Sequence, residues 1–303
     1  MPRQLPISIL LVASAVPTVV QAEMHAGPQV PVPAGIRVPK NGVTIPMQDF
    51  GGRPVVELKI NDQGPYRFIL DSGATITMVT DELSRELSLN SPTGMRVAAV
   101  GGGPAPAIVA IREVRIGDAT LQDLIAAIMP LGNLLKEKNA PRGVLSAASF
   151  AGYLLIYDYP RKRISIREGE LEHVDSKSVF QYTEDQVLPT VPVRIAGHDT
   201  HVHLDTGSPF GLTLPVRFLS ELPLASPPKE SGKARTHAGE FPVSIARVDG
   251  AIELGKYKID TQEVRFSDAR PGPAPAVGNI GYEVLRHFVV TLDSKNRCIR
   301  LDR

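Results

Sequence analysis

Apolar and polar residues alternate in short runs along most of the chain, which is the period of half-buried β-strands. At 56–60 and 191–195 the alternation runs into a turn rich in Gly, Asn or Asp, so a β-hairpin is predicted at each place. Short helices are predicted over 80–89, with a Thr cap and an acidic first turn, and over 215–222, with a proline start. The pattern therefore predicts a mainly β protein with few short helices.

The chain contains an acid at the same place in two copies of a repeat. Each predicted hairpin leads into an apolar strand that ends in Asp71 in the first copy and in Asp205 in the second, 134 positions later (205 minus 71). A carboxylate at the end of an apolar strand is costly to bury unless nearby groups donate hydrogen bonds to it. Two such acids can face each other across an axis that relates the copies.

The later elements of the repeat keep almost the same spacing. A closing segment, at 142–146 and again at 278–281, comes before a final pair of strands in both copies. The acids at the ends of the penultimate strands, Asp158 and Asp293, are 135 positions apart (293 minus 158). We interpret the repeat as two homologous lobes, over 43–168 and 179–303, joined by a charged linker at 169–178.

A hydroxyl residue and a glycine follow each acid, namely Ser72 and Gly73 in the first copy and Thr206 and Gly207 in the second. Glycine has no Cβ, so its backbone N–H can approach a carboxylate closely. One turn of this kind is typical of an Asx-type cap. Two of them in register favour a pair of acids that share one proton, because two adjacent carboxylates cannot both ionise cheaply.

These motifs resemble those of aspartic proteases of the pepsin and retropepsin superfamily, in particular of small bacterial two-lobed members. The acid motif of that superfamily is matched at 69–74 and 203–208, and its closing motif is matched loosely at 144–146 and 279–281. The resemblance implies two closed β-barrel lobes related by a pseudo-twofold axis. It also implies a peptide or protein substrate and hydrolysis without a metal or other cofactor.

The resemblance implies a role for each motif residue. Asp71 and Asp205 are the catalytic acids, and they activate a water between them, one as base and the other as acid. Ser72 and Thr206 anchor the two turns to each other, and Gly73 and Gly207 bring backbone N–H groups to the carboxylates.

The residue three positions after each acid differs between the copies. Ser208 can donate a hydrogen bond to Asp205, whereas Ala74 cannot donate one to Asp71. An added donor favours the ionised form, so we expect the shared proton to lie on Asp71. The sequence also departs from the superfamily motifs at His203, Ser146 and Asn279, although both acids are present.

Three consecutive glycines, Gly101, Gly102 and Gly103, lie between two predicted strands. The resemblance implies that they form a mobile flap over the substrate, and an ordinary exposed hairpin is the alternative. The corresponding stretch of the second copy, 225–242, is longer and polar, and we expect a loop there.

The N-terminus is typical of a secretory signal peptide over 1–22. Arg3 comes before an apolar run over 7–20, and small residues lie at the expected cut. The run is about 14 residues and contains Pro17, which is short for a membrane anchor. The Pro- and Gly-rich stretch at 23–42 is interpreted as a linker or a removable pro-segment.

Composition narrows the location and the partners. The 303-residue chain has a net charge of +1 with scattered Lys and Arg, so we expect no nucleic-acid partner, and after signal cleavage no membrane association. Cys298 is the only cysteine, which excludes an intramolecular disulfide. An exported protein without one favours a bacterial periplasmic or secreted location. We expect a monomer.

Two further alternatives concern metals and catalysis. His198, His201 and His203 lie close to Asp205 and could be metal ligands, but solvent-facing histidines on an edge hairpin are favoured, and no metal is expected. The alternative to an endopeptidase is a catalytically silent protein on the same scaffold that binds a peptide or another polymer.

Overall fold

The computed structural model of the protein describes residues 32–92, 106–129, 139–182, 188–236, 239–261, 263–268 and 277–303. The expected signal peptide at 1–22 and the flap glycines Gly101, Gly102 and Gly103 lie outside these residues. Within the described ranges, no helix has the length and apolar character needed to cross a membrane.

The described part of the first half is mainly β-strand with one short α-helix, and the β-strands agree with the alternation in the sequence. Its elements are β1 Gly35–Arg37, β2 Val43–Pro46, β3 Gln48–Asp49, β4 Pro54–Ile60, β5 Gln63–Asp71, β6 Thr77–Thr80, α1 Asp81–Glu86, β7 Ile108–Ile116, β8 Ala119–Met129, β9 Gly143–Ser146, a 3₁₀-helix at Ala147–Phe150, β10 Leu154–Asp158 and β11 Arg163–Arg167.

The second half repeats this order, with several of its strands shorter or broken. Its elements are β12 Val179–Gln181, β13 Thr190–Ile195, β14 His198–Leu204, β15 Leu212–Leu214, α2 Phe218–Glu221, β16 Lys229–Thr236, β17 Gly239–Arg247, β18 Ile252–Leu254, β19 Tyr257–Ile259, β20 Glu263–Phe266, β21 Gly278–Ile280, α3 Tyr282–Leu285, β22 Val289–Asp293 and β23 Cys298–Asp302.

Six strands of the first half close into a barrel. The pairs run from β4 to β5, β9, β6, β8 and β7, and β7 pairs again with β4. Alternate residues of β4 are buried, among them Leu58 and Ile60, while Glu57 and Lys59 face solvent. The alternation in the sequence thus directs one side of each strand into the barrel core.

The second half uses the same pairings in an open ladder. In the first half Ile60 pairs with Val114, and in the second Ile195 pairs with Ile252. The long strands β7 and β8 have broken counterparts, β17 with β18 and β19 with β20, and among the described strands the ladder ends at β16 and β19. The break includes Gly250, where φ is +151° and an added Cβ would lie 2.7 Å from the Ala196 side chain.

Two local expectations for the second half are wrong. The stretch 225–242 was expected to be a loop, but β16 and β17 form an antiparallel hairpin there. Polar and charged residues predominate in β16, so its sequence lacks an apolar alternation that would reveal a strand. The hairpin of β13 and β14 is not at an edge, because β14 lies between β13 and β21.

A six-stranded sheet joins the two halves, with strand order β12, β23, β22, β10, β11 and β2. In one half Ile164 pairs with Ile45, and in the other Ile299 pairs with Phe180, each residue 135 positions after its counterpart (299 minus 164, 180 minus 45). β2 therefore forms one edge of this sheet.

The centre of this sheet is symmetric. In the pairing of β10 with β22, Ile156 lies opposite Thr291, its own repeat counterpart 135 positions later (291 minus 156). Equivalent residues oppose each other in this way where a twofold axis passes between two copies. The architecture is thus that of two homologous β halves about a pseudo-twofold axis, as the sequence predicts, and the exact boundaries 43–168 and 179–303 stay a prediction.

The hydroxyl of Thr291 tests the packing at this axis. Thr291 is fully buried, and its Oγ1 has no hydrogen-bond partner among the described residues. Thr291→Val replaces this hydroxyl by a methyl group of similar size. We expect it to raise the free energy of unfolding by about 1 kcal/mol, since no hydrogen bond is lost and a desolvated polar group is removed. Urea unfolding followed by circular dichroism measures the change, and a clear loss of stability would contradict this description of the axis.

Candidate active site

The two acids lie at the ends of equivalent strands. Asp71 is the last residue of β5, and Asp205 directly follows β14. Each of these strands is flanked by the parallel closing strand of its own half, β9 or β21. The side chains buried in the core are Phe68 and Leu70 of β5 and Val202 and Leu204 of β14. Asp71 is half-buried, whereas Asp205 is buried with 6% of its surface exposed.

Hydrogen bonds between the halves hold the two turns together. The Ser72 hydroxyl donates to the Leu204 carbonyl at 2.6 Å, and the Thr206 hydroxyl donates to the Leu70 carbonyl at 2.9 Å. In return each hydroxyl accepts the backbone N–H of the other residue, at 3.0 Å from Thr206 and 2.9 Å from Ser72. Both side chains are buried, so these four bonds form a closed polar network between the acid-bearing strands.

The glycines let each carboxylate reach the opposite turn. Asp71 Oδ1 accepts the N–H of Gly73 at 2.6 Å and that of Gly207, from the other half, at 3.1 Å. A Cβ added at Gly73 would lie 2.6 Å from an oxygen of Asp205, and one added at Gly207 would clash with Asp71. The two carboxylates therefore each pack against the glycine of the opposite turn.

Asn279 is a donor to the second acid that the sequence did not reveal. Its Nδ2 donates to Asp205 Oδ2 at 2.8 Å, and Asn279 lies in β21, paired in register with His203. In the sequence, Asn279 is only a departure from the superfamily motif, which has an apolar residue at this position. Because Asp71 has two backbone donors and Asp205 has this amide, Ser208 is not the sole difference between the acids, and the position of the shared proton stays a prediction.

The other two departures from the superfamily motifs, Ser146 and His203, each have hydrogen-bond partners in the structure. The Ser146 hydroxyl donates to the Ala74 carbonyl at 2.6 Å and accepts the N–H of Ala148 at 3.2 Å, so it caps the 3₁₀-helix and fixes the turn after Asp71. His203 is half-buried, with Nδ1 3.1 Å from the Thr190 hydroxyl. Neither residue displaces an acid.

Two further groups near the acids had no sequence motif. Burial lowers the pKa of the Arg53 guanidinium from its usual value, while the negative charges of Asp71 and Asp205 raise it. Burial strongly raises the pKa of Tyr159, and the charges of the same two acids add to the effect. Arg53 and Tyr159 are therefore desolvated groups that lie close enough to both acids to feel their charge.

The histidines do not gather into a metal site. His198 and His201 are exposed, and His203 contacts Thr190. Over the ranges that the structure describes, there is no cluster of three or more His, Cys, Asp or Glu residues that could hold a metal ion.

The inter-half hydrogen bonds give a prediction for Thr206. Thr206→Val removes its hydroxyl and leaves the buried N–H of Ser72 and carbonyl of Leu70 unpaired. We expect the free energy of unfolding to fall by about 2–4 kcal/mol, the combined cost of two unsatisfied buried groups. Thr291→Val, the same chemical change at a buried hydroxyl without a partner, is the matched control. Equal effects of the two substitutions in urea unfolding would contradict a holding role for Thr206.

A comparison with known families agrees with this geometry. A model of the aspartyl protease family matches the chain twice, at 56–147 and 191–284, which together make up more than half of it. Each match contains one acid turn and one closing strand. A search of curated proteins found no significant match. With the family matched once in each half, around each of the two acid turns, the chain belongs to the aspartyl protease family.

Proposed function

We propose that the protein is an exported aspartic endopeptidase with Asp71 and Asp205 as its catalytic pair. The observation that supports this most is the reciprocal packing of the two acid turns, in which each carboxylate lies against the glycine of the other turn. Family membership supports a peptidase-type hydrolase. The proposal adds to family membership that the two acids act as a pair and that the chain is exported.

In the proposed mechanism the two acids share one proton. The ionised carboxylate takes a proton from a water while the water oxygen attacks the scissile carbonyl carbon, and the protonated carboxyl donates its proton to the carbonyl oxygen. The tetrahedral diol then collapses. The carboxyl that now holds the proton gives it to the amide nitrogen, and the other carboxylate takes a proton from one hydroxyl of the diol as the C=O bond re-forms and the C–N bond breaks. The pair is then singly protonated again. No metal or covalent intermediate takes part.

The surrounding residues position the acids in this proposal. Ser72 and Thr206 fix the two turns, and the N–H groups of Gly73 and Gly207 orient Asp71. Asn279 orients Asp205 from the neighbouring strand. Such fixed donors hold charged groups in position without reorganisation during the reaction.

We propose an extended peptide or protein segment as the substrate, held between the two halves by a monomeric enzyme. The glycines Gly101, Gly102 and Gly103 would cover it as a flap. They lie outside the described residues, so their role rests on the resemblance alone.

The acid pair gives the main prediction. Asp71→Asn and Asp205→Asn should each lower peptide cleavage by about 10²-fold or more, because an amide cannot exchange the shared proton. The assay is a library of fluorescence-quenched peptides incubated with the purified mature chain at several pH values. Circular dichroism should show an unchanged fold.

The matched control is Asp199→Asn. Asp199 lies on the same hairpin as Asp205, is exposed and pairs with Arg194, so its loss should leave cleavage unchanged. Near wild-type cleavage by either pair variant would refute the mechanism. Peptide binding without any cleavage by the wild-type protein would favour the silent binding protein instead.

Export gives a separate prediction. If residues 1–22 are a signal peptide, the mature chain begins near Glu23. N-terminal sequencing of the protein from the periplasmic or culture fraction of the producing bacterium measures this. Recovery of a chain that still begins at Met1 from that fraction would count against it.

A further inference from the structure

The turn that precedes β4 is tightly held beside the acids. Phe50 and Arg53 exchange backbone hydrogen bonds at 3.0 and 3.2 Å, and the N–H of Gly52 donates to Asp49 Oδ1 at 2.8 Å. Gly52 has φ +79°, and an added Cβ would lie 3.1 Å from both Pro209 and Tyr282 of the second half. Arg53 is therefore carried on a turn whose position is fixed against both halves.

The Arg53 guanidinium has no carboxylate partner within the described ranges. Its side-chain hydrogen bond is a long one, from Nη1 to the Gly51 carbonyl at 3.3 Å, and it makes no ion pair with a described residue. The side chain is half-buried, and burial lowers its pKa while the charges of Asp71 and Asp205 raise it. The attraction between a partly desolvated cation and an incoming anion is stronger than that between an exposed cation and the same anion, because less water screens the charges.

The pocket beside Arg53 carries an excess of positive charge. It has a volume of about 200 Å³, and its lining includes three cations, Arg53, Lys162 and Arg286, and one carboxylate, Asp49. Asp49 already accepts the N–H of Gly52, and a hydrogen bond with Asp49 raises the pKa of Tyr282. Asp49 therefore already has two hydrogen-bonding neighbours. The volume suits one side chain or chain end rather than a large ligand.

The position in the second half that the pseudo-twofold axis relates to Arg53 holds an uncharged residue. Arg53 and Pro54 at the start of β4 correspond to Leu188 and Pro189 before β13, by the spacing of 135 that relates Ile60 to Ile195 (195 minus 60). Leu188 is half-buried and apolar. The charge at this position therefore differs between the two halves, with a cation in the first and an apolar side chain in the second.

We propose that Arg53 makes the enzyme select peptides that carry a carboxylate on one side of the scissile bond. The inference rests on the proposed peptidase function and specifies its substrate class. A guanidinium can bind a carboxylate through two parallel hydrogen bonds, which favours Glu or Asp over its amide and over apolar residues. The carboxylate is either an acidic side chain or the carboxyl terminus of the peptide.

The test uses defined quenched octapeptides, blocked at both ends, in which one position at a time carries Glu or Gln. The readout is the ratio of kcat/KM for each Glu peptide to that for its Gln partner. We expect a ratio of about 10-fold to 100-fold at positions on one side of the cleaved bond, the effect of a charge-assisted hydrogen bond, and about 1 on the other side. A second set with free or amidated C-termini distinguishes a terminal carboxylate from a side-chain carboxylate.

Variants of Arg53 test whether this residue causes the preference for Glu over Gln. Arg53→Gln should bring the ratio close to 1, and Arg53→Lys should restore part of it, because the charge is kept but the bidentate geometry is lost. Lys59→Gln is the matched control, since it removes one exposed cation from β4 and should leave the ratio unchanged. If Arg53→Gln lowered the cleavage of Glu and Gln peptides equally, the role of Arg53 would be to balance the negative charge of the acids. That result would overturn the proposal.

A binding arm separates this inference from the proposed function. The same peptides, labelled for fluorescence anisotropy, are titrated into Asp71→Asn and into the double variant Asp71→Asn with Arg53→Gln. A Glu preference that disappears in the double variant supports carboxylate recognition even if the wild-type protein cleaves nothing. Equal binding of Glu and Gln peptides to Asp71→Asn would refute carboxylate recognition. In the cleavage assay, an equal preference for Glu on both sides of the cleaved bond would also refute it.

Discussion

Two buried hydroxyl groups, those of Ser72 and Thr206, hold the two halves of the molecule together at the acids. Each donates to the carbonyl that precedes the opposite acid and accepts the opposite N–H, so the four bonds close on themselves. Because the groups are buried, a shift of one half against the other would leave several polar atoms without partners, at a cost of about 1–3 kcal/mol each. This constraint sets the separation of Asp71 and Asp205.

The six-stranded sheet imposes the same symmetry away from the acids. Its central pairing sets Ile156 opposite Thr291, and its outer pairings repeat at a spacing of 135. Two independent contacts, a polar network at the turns and a backbone ladder in the sheet, thus fix one relative arrangement of the halves. An acid pair needs such rigidity, because a positional error of an ångström weakens catalysis substantially.

The two copies differ at several positions around the two equivalent acids. Ser146 caps a 3₁₀-helix in the first half, whereas at the equivalent Gly281 an added Cβ would lie 2.5 Å from the Ser208 carbonyl oxygen. Asn279 reaches Asp205, and Arg53 is a cation where the other half has Leu188. A duplicated fold therefore supplies two equivalent acids, and the residues that differ between the copies make the surroundings of these acids unequal.

The sequence by itself determined the β class, the repeat, the acid turns and the cap of α1, whose Thr80 hydroxyl accepts the N–H of Leu83 as expected. These features are local, because strand alternation, turn chemistry and capping each depend on residues a few positions apart. Only the tertiary structure decided the contact of Asn279 with Asp205, 74 positions away, and the approach of Arg53 to both acids. It also revealed the hairpin of β16 and β17, in which β16 has no apolar period. Contacts between distant residues depend on how the elements pack, and no local pattern encodes them.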